Sequence, residues 1–409
     1  MDLLYWFSLP FVNAFNFSET IIIPMLVSLV GVGLYATMNR LQSLKPSMLD
    51  GLIVAFLGSA IMSTLFNVNS LGAKGINHLA ALFASYGVLY YMPVTLSRRL
   101  SVERILAVLW IGYVLCVLFG IIEFVLVNFT NVDLDAIVHR PSALDYKPAF
   151  LDILLIRSRS LFEESGYFAN YLAVLSPLMV YYLWHVKQST SARITFIVLT
   201  MTASFVAFSV SMFIFLPTAL IIASILRIMD KRRISKTMAL LFVVLIVITL
   251  VVVLSDDLMN ILFFRKFEGD SFQDRSEKLE VTLSAMSNAS WLQILFGFGP
   301  GSYFNLGVLP STSVYLNFWR DYGILGISAY LLSVLYLLLL VFTDKSALGQ
   351  AIFLSSLIIQ LFFIAIPTYY APVSYLPMIL YELRRRRSSI GKARVIPVSL
   401  AAKETEAKP

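Results

Sequence analysis

The chain carries little charge, a single cysteine and only three histidines. Charged residues make up 13% of its 409 positions, whereas soluble domains average about 25%. The single cysteine, Cys116, lies in an apolar run, which excludes an intramolecular disulfide and a cysteine-rich metal site. His78, His139 and His185 are too scattered to predict a catalytic zinc site, although carboxylates could still bind a hard cation.

Hydrophobic residues are abundant, at 59% of the sequence, and the mean hydropathy is +0.82. A bilayer solvates such an apolar surface, whereas water does not. We therefore expect an all-α integral membrane protein with a single polytopic domain over residues 1–387 and a basic, disordered cytoplasmic tail over 388–409. Eleven or twelve transmembrane helices are predicted from apolar runs at 3–17, 20–38, 49–66, 77–96, 105–129, 167–186, 194–210, 211–229, 238–254, 313–342, 348–366 and 371–383.

Lysine and arginine residues mark one side of these predicted spans. They lie in the short loops around 40–45, 98–104, 187–193 and 231–236, and in the tail at 384–387. Because short cytoplasmic loops are rich in these residues, the pattern predicts cytoplasmic termini and a tight hairpin near 210–211. The same distribution argues against nucleic acid as a partner, despite the net charge of +7.

Two segments, at about 130–166 and 255–312, are too polar to span a bilayer. The alternation of spans places both of them on the outward face, and loops of this length are usually functional. Neither segment is net basic, so charge alone predicts no binding of either to a lipid surface or to nucleic acid.

The second polar segment contains a helical pattern. Asp274 is followed three residues later by Glu277, which is the pattern of a helix N-cap. Apolar residues then recur on one helical face at Leu279, Leu283 and Met286. We predict a helix that begins at Asp274 and lies along the membrane surface.

Two short motifs lie at the ends of the polar segments. The first reads RSRSLFEESGYFAN over 157–170, and the second reads LFGFGPGSY over 295–303, followed by YLNFWRDYGILG over 315–326. This combination resembles the Wzy-type O-antigen polymerase and O-antigen ligase superfamily. Six residues of the second motif are expected to line the site: Gly297, Gly299, Gly301, Asn317, Arg320 and Asp321.

The resemblance implies a fold and a function. It implies a GT-C-like helical glycosyltransferase with two large periplasmic loops, in the inner membrane of a bacterium. A polymerase of this type moves a growing glycan from undecaprenyl pyrophosphate onto a lipid-linked repeat unit, as in O-antigen, capsule or exopolysaccharide synthesis. The implied partners are the undecaprenyl-pyrophosphate-linked oligosaccharide, membrane lipid and a chain-length regulator, and no cofactor or metal is implied.

The chemistry of this transfer indicates which residues could perform it. Negative charge develops on the departing pyrophosphate, and arginine stabilises it through bidentate hydrogen bonds. The candidate phosphate-binding residues are Arg157, Arg159, Arg265 and Arg275. The attacking hydroxyl must lose a proton, which requires a base within hydrogen-bond reach. The candidate bases are Glu163 and Glu164, with Asp274 as a further one.

Other functions stay open at this stage. An O-antigen ligase would transfer the glycan to lipid A core, but ligases carry a histidine before the Asn of the late motif, where this chain reads STSVY at 311–315. The superfamily also tends to place an arginine where this chain has Met212. A lipid-linked oligosaccharide flippase or transporter would be expected to show paired, Gly- or Pro-broken halves, and the prolines are not symmetrically placed.

Each candidate residue also has a purely structural interpretation. Arg157 and Arg159 could anchor a helix end at the headgroups, and the two glutamates could sit at a helix N-terminus. The glycines are more consistent with a close-packed turn than with a dinucleotide loop, because no Rossmann pattern surrounds them. Arg320 and Asp321 could form an intramembrane ion pair. Glu123, near the outer end of a span, could reach only headgroups.

Overall fold

The computed structural model describes residues 2–12, 14, 22–38, 46–130, 132, 134, 138, 140, 149–150, 155–229, 270–307, 311–367 and 369–393. Among them, β-structure is confined to an antiparallel pair of two-residue strands, β1 (Ala149–Phe150) and β2 (Leu155–Ile156). The α-helices are α1 (Asp2–Ser8), α2 (Ile23–Thr37), α3 (Met48–Phe66), α4 (Ala73–Tyr86), α5 (Met92–Leu96), α6 (Val102–Phe129), α7 (Ser165–Tyr181), α8 (Thr190–Ala207), α9 (Val210–Met229), α10 (Asp270–Ser287), α11 (Trp291–Phe296), α12 (Ser302–Leu306), α13 (Val314–Thr343), α14 (Ala347–Phe362) and α15 (Leu376–Ala393).

Several of these helices are long and apolar enough to cross a bilayer, which indicates a multi-pass membrane protein. Within the described ranges there are five: α3, α6, α8, α13 and the continuous helical segment Ala73–Arg99, which contains α4 and α5. Shorter apolar helices occur at Ile23–Thr37, Ser211–Leu226 and Ala347–Phe362. The span predicted at 238–254 lies outside the described residues.

The first predicted span, at 3–17, is wrong in length. Helix α1 covers seven residues and ends at Ser8, whereas a bilayer requires about 20 helical residues. Pro10 follows two residues later, and proline disfavours helical geometry in the residue before it. Tyr5 and Trp6 are fully buried, and the Trp6 indole donates a hydrogen bond to Ser97 Oγ over 2.7 Å. The short helix therefore packs inside the bundle.

Polar contacts separate into two ends of the bundle. Helix α3 runs from one end to the other. Its first turn contains Asp50, whose Oδ2 lies 3.7 Å from Arg386 Nη2. Asn67, just beyond its last turn, donates to the Gly297 carbonyl over 3.0 Å. Helix α6 likewise begins beside the basic 98–104 loop and ends near Asn128, which binds the backbone of Ile156. The described parts of both polar segments thus lie at the end opposite the basic loops.

Helix α14 lies between the two motif-bearing regions. It packs against α7 and α9 on one side and against α13 on the other, and α13 packs along α3. Just past the end of α14, the Phe363 carbonyl accepts from Val314 N–H (3.0 Å) and from Ser313 Oγ (3.2 Å). These contacts fix the start of α13, which carries the second half of the late motif, against the end of α14. Helix α14 in turn packs against α7 and α9, which follow the first motif.

The helix predicted in the second polar segment is present, but its predicted start is wrong. Helix α10 begins at Asp270, so Asp274 lies inside it and is not its N-cap. Met286 is buried, whereas Leu279 and Leu283 are 41% and 44% exposed. The helix therefore presents two leucines of its apolar face away from the rest of the protein.

Candidate functional site

The Glu123 side chain binds residues of the first motif, whereas the sequence led us to expect it to reach only the lipid headgroups. The side chain is buried near the outer end of α6 and accepts four hydrogen bonds. One comes from the Arg140 guanidinium over 2.7 Å, and a second comes from Ser158 Oγ over 2.8 Å. The other two come from the backbone N–H groups of Arg159 (2.8 Å) and Ser160 (2.6 Å). We call these five residues the Glu123 cluster.

The cluster holds the chain in a tight turn before α7. Ser160 has a positive φ of 51°, its hydroxyl donates to the Cys116 carbonyl over 2.7 Å, and its own carbonyl accepts from Arg140. A carboxylate that binds consecutive backbone N–H groups stabilises such a turn. An acid inside an otherwise apolar helix was the sequence signal for this role, because such residues usually face a protein interior.

The two arginines of the first motif differ in their surroundings. Arg159 is 8% exposed and belongs to the Glu123 cluster. Arg157 is half-buried, and its guanidinium donates to the Phe208 carbonyl over 3.3 Å. Phe208 ends α8 with a left-handed backbone, so Arg157 places a positive charge at the negative end of that helix.

The candidate bases of the first motif lie at the start of α7. Glu164 is the N-cap residue of this helix and is exposed, while Glu163 is half-buried. The Glu164 side chain forms no capping hydrogen bond, so its carboxylate is available to solvent near the positive end of the helix. Both glutamates therefore occupy the helix N-terminus that their sequence position predicts.

The remaining candidates of the second polar segment are described only in part. Arg265 lies outside the described residues. Asp274 and Arg275 belong to α10, and their side chains also lie outside what the structure describes.

The glycines of the late motif form a close-packed loop that requires glycine. Gly297, Gly299 and Gly301 have positive φ angles of 78°, 94° and 64°. A Cβ atom on Gly297 would lie 2.4 Å from the carbonyl carbon of Asp321. The N–H groups of Phe298 and Gly299 donate to the backbone carbonyls of Arg320 (2.9 Å) and Asp321 (3.1 Å), respectively. Only glycine allows the loop to approach α13 this closely.

Helix α13 is interrupted beside this loop. Gly323 adopts φ 65° and ψ −167°, which is not helical, and its Cα faces the Leu295 carbonyl at the end of α11. On the N-terminal side of the break, the Asp321 carbonyl also accepts from Ser63 Oγ over 2.6 Å. Irregular backbone inside a span is tolerated when it is buried in protein and its polar groups find partners, as they do here.

Arg320 and Asp321 form a buried ion pair that is tied to the glycine loop. Arg320 Nε lies 3.0 Å from Asp321 Oδ1 and also donates to Ser302 Oγ over 2.9 Å. Asp321 accepts from Ser302 Oγ (2.6 Å) and from Gly301 N–H (3.1 Å). Arg320 Nη2 donates to Asn317 Oδ1 over 3.2 Å, whereas Nη1 is buried without a hydrogen-bond partner. We call residues 297–303 with Asn317, Arg320 and Asp321 the glycine-loop cluster.

A histidine that was not a site candidate from the sequence joins this cluster. His78 Nε2 lies 3.0 Å from the Tyr303 hydroxyl oxygen. The Tyr303 ring in turn covers the Arg320 guanidinium, whose carbon lies 5.4 Å from the ring centroid. Phe304 is 42% exposed, and the Lys74 ammonium lies 4.4 Å from its ring centroid. His78 is 225 positions from Tyr303, so sequence spacing gave no signal for this contact.

A small cavity of about 40 Å³ lies deeper in the bundle, between α4, α13 and α14. Its lining includes Tyr86, Tyr330, Gln360 and Tyr375. A volume of this size accommodates about three water molecules, since one water needs roughly 10–15 Å³ by the same measure.

Comparison of the chain with protein-family models and with curated proteins gives no match. In the part of the chain that the structure describes, no group of three or more His, Cys, Asp or Glu side chains could hold a metal ion. A functional interpretation must therefore follow from the two clusters themselves.

Proposed function

We propose that the protein is a membrane glycosyltransferase of the polysaccharide-polymerase type, with a GT-C-like fold, that acts at the periplasmic face of a bacterial inner membrane. One observation carries this proposal. The two motifs of the resemblance, separated by more than a hundred residues, lie at the same end of the helical bundle and flank α14. This is the end opposite the basic loops, and short basic loops favour the cytoplasmic side.

The donor would be a glycan on undecaprenyl pyrophosphate, and the acceptor a lipid-linked repeat unit. Arg157 is the described candidate whose guanidinium is half-buried and lies at the outward end, where a diphosphate could reach it. Arg265 and Arg275, in the second polar segment, are the further candidates for the departing pyrophosphate. The buried Arg159 and the Arg320–Asp321 pair would position the surrounding loops.

The experiment is a mutation series in a strain that lacks the gene. Arginine-to-alanine variants at Arg157, Arg265 and Arg275 should abolish long-chain polysaccharide on gels while the protein stays in the membrane. Arg193 offers a matched control, because it also donates to helix-terminal carbonyls, of Leu183 over 3.2 Å, but at the opposite end of the bundle. R193A should leave chain length unchanged.

The deletion strain separates the competing functions. Single repeat units on the outer leaflet would support the polymerase, and finished chains left on the carrier would indicate a ligase. Repeat units held on the inner leaflet would indicate a flippase. Normal chain lengths in all the arginine variants would refute the proposed role of these residues, and normal polymer in the deletion strain would refute the function itself.

A further inference from the structure

His78 and Tyr303 form a polar pair that the packing of the site keeps in place. The imidazole rests on Gly301, where a Cβ atom would lie 2.7 Å from His78 Cδ2. The His78 and Tyr303 rings meet edge to face, with centroids 5.5 Å apart. Gly75, one turn before His78 on α4, lies against the Pro300 carbonyl of the same loop. Two of these contacts depend on glycine, and such close approach would not be needed merely to fill space, since a larger apolar side chain would do so.

The nearby acid of the cluster is already occupied. Asp321 Oδ1 accepts from Ser302 Oγ and from Arg320 Nε, and Oδ2 accepts from Gly301 N–H. The Asp321 carboxylate is therefore already bound by three donors within the cluster. His78 is half-buried, and Phe304, whose ring packs beside the imidazole, is exposed.

We propose that His78 is the base of the glycosyl transfer and that Tyr303 relays the proton to it. This proposal rests on the function proposed above and names a residue for one of its steps. The acceptor hydroxyl would donate its hydrogen bond to the Tyr303 oxygen, while the Tyr303 hydroxyl donates to His78 Nε2.

The transfer forms one bond and breaks another. The acceptor oxygen forms a bond to the anomeric carbon of the donor sugar as the bond from that carbon to the pyrophosphate oxygen breaks. The electron pair of the broken bond leaves with the pyrophosphate. The acceptor proton passes to the Tyr303 oxygen, and the Tyr303 proton passes to His78, which becomes an imidazolium ion. Tyr303 is neutral before and after the transfer.

The electrostatic surroundings fit these protonation states. Burial, and to a smaller extent the negative charge of Asp321, raises the pKa of Tyr303 to about 12, so its hydroxyl keeps its proton near neutral pH and can donate to the imidazole. The charged groups that face His78 are Arg320 and Asp321 of α13, with Lys74 on its own helix.

The test uses the full-length protein in lipid nanodiscs, with lipid-linked glycan extracted from the deletion strain as the probe. We expect H78Q to lower kcat about 10²–10⁴-fold. The amide still fills the space and can still bind the Tyr303 hydroxyl, but it cannot take a proton. The wild-type kcat should rise with pH through the imidazole pKa, and this acid limb should be absent in H78Q. The control is H185Q, because His185 is exposed at the opposite end of the bundle and should give wild-type kinetics.

Y303F provides an independent variant. It keeps the ring over Arg320 and removes only the hydroxyl, so kcat should fall while KM stays within about threefold. A kcat of H78Q within threefold of wild type, or an acid limb that persists in it, would overturn the proposal. If H78Q does not reach the membrane, a wild-type kcat in Y303F would overturn it. If wild-type protein does not polymerise the glycan at all, the proposed function fails instead.

Discussion

Replacing Glu123 by glutamine isolates the charge that holds the turn before α7. Glu123 Oε2 accepts from Ser158 Oγ and from two backbone N–H groups, while Oε1 accepts from Arg140 over 2.7 Å. A glutamine with its carbonyl at the Oε2 position retains the first three bonds. Its NH₂ group then faces the Arg140 guanidinium, so a donor meets a donor and the buried cation loses the negative charge of Glu123.

The expected loss of stability follows from this geometry. Breaking a buried ion pair by removing one charge costs about 3–5 kcal/mol, so we expect E123Q to lower the free energy of unfolding by that amount. E123A should cost more, because each buried donor left without an acceptor adds about 1–3 kcal/mol. The assay is denaturant unfolding of the protein in mixed micelles, followed by circular dichroism. E103Q, on the exposed first turn of the same helix, is the control and should cost about 0.3–1 kcal/mol through the helix dipole.

A second variant identifies the cause of the loss. In E123Q/R140M the cation that faces the new glutamine is absent, so most of the lost stability should return. A loss below about 1 kcal/mol in E123Q, or no recovery in the double variant, would show that the ion pair does not stabilise the turn.

Two further predictions concern other parts of the bundle. G301A should destabilise the protein by at least about 1–3 kcal/mol, because the position has φ +64° and the new methyl group would overlap His78. The control is G33A, inside α2 with open space around it. It should be neutral or stabilising in the same unfolding assay. R386A should cost about 1.5–3 kcal/mol, because Arg386 donates to the buried Glu382 over 2.6 Å, whereas R387A should change the free energy of unfolding by less than about 0.5 kcal/mol.

The length of the apolar runs was the most reliable guide to the positions of the helices. The runs at 49–66 and 105–129 correspond to α3 and α6 within three residues at each end. The turn expected near 210–211 corresponds to a break between α8 and α9 at Phe208. Phe208 adopts the left-handed conformation that usually belongs to glycine, which is why its position could not be read from the residue type. Helix α15 also continues to Ala393, into the segment predicted as a tail.

The sequence predicted which segments carry buried polar clusters better than it predicted the contacts within them. The local motifs pointed to Arg157, Arg320 and Asp321, because charges in or beside an apolar span stand out. The contacts of Glu123 with residues 158–160, and of His78 with Tyr303, join positions that are far apart in the chain. Periodicity and motif spacing describe neighbours along one helix, so such pairings appear only when the helices are packed together.

The interruption of α13 explains how a helix long enough to span the membrane can also bind the glycine loop. A regular helix would satisfy the carbonyls of Arg320 and Asp321 internally and would leave no acceptors for a neighbouring loop. At Gly323 the backbone departs from helical geometry, and the glycine loop binds these two carbonyls. The loop then carries Gly301 and Tyr303 to His78 on α4. Because Gly323 sits against the Leu295 carbonyl, where a Cβ would lie 2.3 Å away, any larger residue there must move the end of α11 away from α13.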